Sequence, residues 1–183
     1  MFNLDMFVKE CKAALNDKKP ENAIHSLMTD TLKDPKAVAA NFNNTISRAT
    51  PMSDLTIFRS DDLMVLRVAL DPRWKSIPHD HGIWGFVGIY QGEEANTFYR
   101  LHGESLEEIG RTSVKEGNVL AMDPDTIHSI ANPLASTTIG IHVYLGDLHK
   151  QKRNLWNPFS GKKETFSLDR FFDCERRLNQ TSS

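Results

Sequence analysis

"PHDHGIWGFVGIYQGEE", residues 78–94, sets two histidines one residue apart ahead of a short apolar segment. On a strand, residues i and i+2 point to the same face, so His79 and His81 would present their imidazoles side by side, about 6–7 Å apart at the backbone. That spacing suits two ligands of one ion. A polar corner leading into a buried strand satisfies the same pair, so the surrounding chain has to decide.

Outward from this stretch the pattern is that of strands. LTIFRS, LMVLRVAL, IWGFVGIY, NTFYRLH, RTSV, NVLAM, TIHSIAN and TTIGIHVYL are short runs rich in β-branched and aromatic residues. Turn signals such as LDP, QGEE, HGES, KEGN and DPD separate them. Eight strands at such regular spacing predict an all-β core, an antiparallel sandwich or barrel of the jelly-roll kind. Before them the period is helical. Phe7, Cys11 and Leu15 share one stripe, Ile24, Leu27 and Met28 another after Pro20, and Val38 and Phe42 a third after Asp34-Pro35. A single domain over 1–183 is expected: helices over 1–50, a barrel over 55–148, and over 149–183 a C-terminal strap with a frayed end.

Composition narrows the function classes. Lys plus Arg number 22 against 24 acidic residues, scattered without blocks, so no basic face is expected for nucleic acid. No apolar run approaches the roughly 18 residues that span a bilayer, and the opening MFNLDMFVKECKAAL lacks a cleavage pattern; no membrane association and a cytoplasmic location are expected. Cys11 and Cys174, far apart and outside any C-x-x-C, read as buried or free thiols. Oligomeric state is not legible.

A third ligand candidate lies in "EGNVLAMDPDTIHSIANP", residues 116–133. Gly117, Asp123, Asp125, His128 and Asn132 stand at the spacing of the second cupin motif, with Asp123 and Asp125 at its two turn positions, which Asp tolerates. The first cupin motif fits His79, His81 and Gly92, but Gly85 stands where its glutamate belongs. The chain thus resembles a cupin with a neutral triad of His79, His81 and His128 and no acid. Three imidazoles suit several first-row ions, and open positions suit a non-haem iron(II).

An H-D-H pair with glycine replacing the acid is similar to the cysteine dioxygenase family and its bacterial thiol dioxygenase relatives, from about Arg59 to Trp156. NTFYR, TIHSIANP, IHVYLGDL and the R-x-x-W at Arg153–Trp156 carry the likeness as well. The resemblance implies iron(II) as cofactor, a small thiol and O2 as partners, and a sulfinate as product. The thiol would be cysteine, 3-mercaptopropionate or a related mercapto acid. The family's S-x-H-x-Y strand is matched by Gly140-Ile141-His142-Val143-Tyr144, with His142 and Tyr144 as catalytic candidates and glycine in place of serine. No cysteine stands shortly after His81, where Gly85 and Phe86 are found, so the animal enzymes' thioether to the tyrosine has no counterpart. Two arginines compete for a substrate carboxylate, Arg153 ahead of Arg59. Arg67 and Arg100 are expected to face solvent, and Trp84 to pack the mouth or floor of the barrel. Glu93 and Glu94 should be solvated at a turn, unless one is a displaced fourth ligand. His25, His102 and His149 should lie on the surface. Two other readings stay open: a metal-dependent cupin enzyme acting on an oxygen-chelating substrate, and a non-catalytic ligand-binding cupin.

Overall fold

The computed structural model describes residues 2–50 and 52–180. Helix α1 (Leu4–Ala14) starts at Asn3, whose side chain accepts the Met6 amide at 2.9 Å, and buries Phe7 and Cys11. Helix α2 (Pro20–Thr31) has proline in its first turn and buries Ile24 and Met28. Helix α3 (Pro35–Ala39) is capped by Asp34 and buries Val38. A short helix α4 (Met52–Leu55) was not foreseen from the sequence.

All eight expected strands form: β1 (Thr56–Arg59), β2 (Met64–Leu70), β3 (Gly85–Gln91), β4 (Glu93–His102), β5 (Ser105–Lys115), β6 (Val119–Met122), β7 (Ile127–Ala131) and β8 (Thr138–Tyr144). They make a five-stranded sheet, β1-β2-β8-β3-β6, and a three-stranded sheet, β5-β4-β7, with every pair antiparallel. This is a jelly-roll barrel of antiparallel strands, as expected from strand spacing. Alternation divides the five-stranded sheet. Val65, Ala69, Phe86, Ile139, Ile141 and Val143 pack outward with the buried residues of α1–α3, while Met64, Leu66, Val87, Ile89 and Tyr144 face the barrel interior.

Several local expectations are corrected. Arg67 is buried, not solvent-facing: its Nε donates to the Tyr90 hydroxyl at 2.6 Å, its Nη1 donates to Asn44, and its guanidinium lies over Phe42. A strand clad by helices has no solvent on either face, so an arginine there must be fully paired. Trp84 stacks on Phe86 in the helix-facing layer instead of lining the barrel mouth. Arg100 is exposed, as expected.

The largest departure is the C-terminus. Beyond the barrel, β9 (Asn154–Asn157) and β10 (Lys162–Thr165) form a hairpin, and α5 (Leu168–Gln180) follows in place of a frayed end. Phe171, Cys174 and Leu178 recur at helical spacing and pack on Ile77 and Leu155, which anchors an otherwise polar helix. Residues 181–183 lie outside the described residues. Both cysteines are free and buried.

Candidate metal centre

His79 and His81 sit on an extended segment between β7 and β9, not within a regular strand. His79 and His128 exchange both backbone hydrogen bonds, at 2.8 and 3.0 Å, and the Trp156 amide donates to Pro78 on the other side. Asp80, between the histidines, points away from them and accepts the Asn154 amide and side chain, both at 2.6 Å. Alternation therefore uses the outward acid to hold β9 and leaves both imidazoles inward. His128 comes from β7 after the expected turn, where Asp123 accepts the Asp125 amide and the Thr126 hydroxyl. Asn132, the last motif residue, pins the next loop by donating to three carbonyls.

The three rings converge. One ligating nitrogen from each of His79, His81 and His128 lies within 4.8 Å of the others, and all three residues are buried. Among the described residues no carboxylate joins them. His79 Nδ1 is 3.0 Å from the Ile77 carbonyl and His128 Nδ1 is 2.9 Å from Asn96 Oδ1. Each Nδ1–H has an acceptor, so each Nε2 lone pair is directed inward. His128 Nε2 and His81 Nε2 face each other at 3.4 Å. Burial holds all three rings neutral: His79 and His81 titrate well below the usual value, through desolvation first and the neighbouring His128 next, and desolvation lowers His128 to about 4. Neutral imidazoles with lone pairs turned on one point form a donor set for a first-row divalent ion.

Gly85, in the place of the motif's acid, has a spatial role. A Cβ there would stand 3.0 Å from His81 Nδ1 and 3.2 Å from the Tyr144 ring. The room is taken by Tyr144, whose ring meets His81 edge-on at 5.1 Å between centroids. The Tyr144 hydroxyl lies 3.3 Å from His142 Nδ1. Burial pushes the Tyr144 phenol up and His142 down to about 3, so both are neutral. Gly140 likewise cannot be the missing serine, because a Cβ would approach the Gly88 carbonyl oxygen to 2.7 Å.

The cavity beside the triad measures about 90 Å³, room for a handful of water-sized groups. Its walls are largely apolar, with Leu66, Val68, Val87, Ile130 and Phe171 among them. Arg153 lines it, buried, with its guanidinium 3.3 Å from the Phe166 ring centroid and its Nε unpartnered. Desolvation brings Arg153 down to about 10, and its charge contributes to the lowering of His79 and His81. Arg59 lies apart from this cavity: its guanidinium grips Asp147 at 2.9 and 3.0 Å and its side chain is 45% exposed.

Three cavity residues were missed in the sequence. Glu94 is fully buried, not solvated at a turn. The chain reverses at Gly92 (φ 86°), so β4 begins at Glu93 and alternation carries Glu94 and Asn96 inward. The signal was present, since continuing β4's period two residues upstream predicts it. Burial raises Glu94 to about 7. Arg48 and Glu175 had no local signal, being 127 residues apart; they join at 2.8 Å, with Arg48 over Trp74 and Phe172. His25, His102 and His149 are exposed, as expected.

No family model matches the chain. Similar solved structures include an uncharacterized conserved protein with a double-stranded β-helix domain from Klebsiella pneumoniae, at 16% identity over 60% of this chain and 97% of that one, TM-score 0.42. An oxalate oxidase in complex with the substrate analogue glycolate is 14% identical over 57% of each chain, TM-score 0.43. An 11S globulin from Wrightia tinctoria is 11% identical over 52% of this chain and 23% of its own length, TM-score 0.43. The fold and the site together define the class: a double-stranded β-helix protein with a buried three-histidine cluster suited to a metal ion. The likeness to cysteine dioxygenases rests on the sequence motifs.

Proposed function

We propose that this protein is an iron(II)-dependent thiol dioxygenase that converts a compact mercapto acid to its sulfinate. The observation that carries the reading is the pairing of a carboxylate-free histidine triad with Arg153, a buried cation that no ion pair holds among the described residues. His79, His81 and His128 would hold a ferrous ion, which would lower the pKa of the arriving thiol and supply the redox chemistry with O2; the overall change is RS⁻ + O2 → RSO2⁻. The chain's own residues do the rest. The Arg153 fork receives the carboxylate, and its stacking on Phe166 fixes the plane of that fork. The apolar walls keep water away from the reacting sulfur. Tyr144, neutral and anchored to His142, offers a hydroxyl beside His81. The cavity's small size favours a thiol of few heavy atoms.

The test is anaerobic iron loading followed by oxygen uptake and mass spectrometry with a panel of thiols. One O2 consumed per sulfinate formed is expected for a mercapto acid, and none from protein carrying His128→Ala. Arg153→Ala should raise KM for the acid roughly ten- to a hundredfold, the worth of a charge-assisted hydrogen bond, and leave KM for a thiol without a carboxylate unchanged. Should no thiol raise uptake above the iron blank while an oxygen-chelating substrate turns over, the reading fails and a different metal-dependent cupin activity takes its place.

A further inference from the structure

The barrel interior holds two buried polar atoms without hydrogen-bond partners that face each other: Glu94 Oε2 and His142 Nε2, 3.8 Å apart. They come from opposite sheets, Glu94 from β4 and His142 from β8. Nothing on β8 itself steadies this end of the imidazole, because position 140 has no room for a side chain. The other Glu94 oxygen is occupied, accepting the Asn96 amide at 3.0 Å, and Asn96 Oδ1 in turn receives Nδ1–H of His128 at 2.9 Å. One carboxylate therefore touches two chains of groups. The first runs through Asn96 to His128 of the triad, the second across the barrel to His142 and Tyr144.

We infer that Glu94 is a positioning residue: it orients His128 through Asn96, and its second oxygen holds His142 in the Nε2–H tautomer, so that Nδ1 accepts the Tyr144 hydroxyl. An ionised carboxylate only accepts, and a neutral imidazole has one N–H to give. If Nε2 spends it on Glu94, Nδ1 is left as acceptor and the phenol must donate. Buried orphans in a low dielectric are costly, and a small side-chain rotation that brings 3.8 Å to hydrogen-bonding distance removes two at once. In the proposed oxidation, on which the catalytic part of this inference rests, Glu94 keeps Tyr144 and the triad in fixed relation without touching substrate.

The experiment reads the tautomer directly, by two-bond ¹⁵N–¹H correlation spectra of the full chain at pH 8.5, with and without one equivalent of zinc(II), and with His142→Asn for assignment. Wild type should show His142 as Nε2–H. In Glu94→Gln, the amide oxygen stays with Asn96, the NH2 faces His142, and the ring should switch to Nδ1–H. An Nδ1–H ring in wild type, or the same tautomer in both proteins, overturns the inference. Wild type alone decides should the variant not fold. With a thiol substrate in hand, Glu94→Gln should lower kcat about ten- to a hundredfold, as loss of an orienting partner does, with KM unchanged; an unchanged kcat removes the catalytic part. The spectra involve neither iron nor thiol, so this inference and the oxidation reading fail separately.

Discussion

The cavity has two walls built on different electrostatic terms. The barrel wall carries His79, His81, His128, His142 and Tyr144, all kept uncharged by burial. The helical wall, contributed by α5 and the segment before α4, pairs Arg48 with Glu175 and surrounds them with Trp74 and Phe172. The first wall suppresses the ionisation of its rings, and the second compensates charge within an ion pair. The difference teaches where a cation belongs: beside the wall whose lone pairs are free, not beside the one already neutralised.

Acid breaks this comparison most strongly. The four barrel histidines have folded pKa values below the ordinary 6.5, so below that pH the unfolded chain binds protons that the folded one refuses, and stability falls as pH drops. Glu94 and Glu175, each raised to about 7 from 4.5, act oppositely: between those values the folded carboxyl holds a proton the unfolded chain lacks, so stability rises as pH drops. Four groups outweigh two. At about 1.4 kcal/mol per pH unit for each group, the metal-free protein should lose on the order of 3 kcal/mol per pH unit between pH 6.5 and 4.5, read from urea midpoints. A flat profile over that window would mean that the imidazoles are hydrated.

The helical wall is probed next by Phe171→Ala. Phe171 meets His79 edge-on at 5.0 Å and packs against Phe166 and Ile77. Its loss should cost about 3 kcal/mol in urea unfolding and raise the hydrogen exchange of α5 amides. Gly85→Ala then sharpens the account of the barrel wall. A methyl 3.0 Å from His81 Nδ1 must displace either that ring or Tyr144, and a loss of about 2 kcal/mol is expected, with weakened zinc binding by calorimetry. The smallest effect belongs to Arg59→Ala, outside both walls. Arg59 is half-exposed although its partner Asp147 is buried, and its loss should cost about 1 kcal/mol and leave oxygen uptake unchanged, in contrast to Arg153→Ala.

What could be read in the chain followed from short-range periodicity. The eight barrel strands and the inward aim of His79, His81 and Tyr144 follow from alternation and turn residues within a few positions of each other, while the glycine in the acid's place comes from the resemblance to the cupin motif. Glu94 marks the limit of that reasoning: QGEE looks like a four-residue turn, but Gly92 alone makes the reversal and the strand has already begun. The two arginines mark another. Arg59 and Arg153 each flank the barrel strands, and only the neighbour each one meets, Asp147 or the Phe166 ring, separates a surface ion pair from a cavity cation.

The sequence by itself determined the jelly roll, because strand period and turn chemistry are local properties of the backbone, and its resemblance to the cupin motifs singled out the three histidines and the want of a carboxylate at position 85. Only the tertiary structure decided that α5 walls the cavity, that Arg48 meets Glu175, and that Glu94 on β4 faces His142 on β8. Those contacts join residues dozens to more than a hundred positions apart, and their energy comes from burying charge and apolar surface against partners that no local pattern specifies.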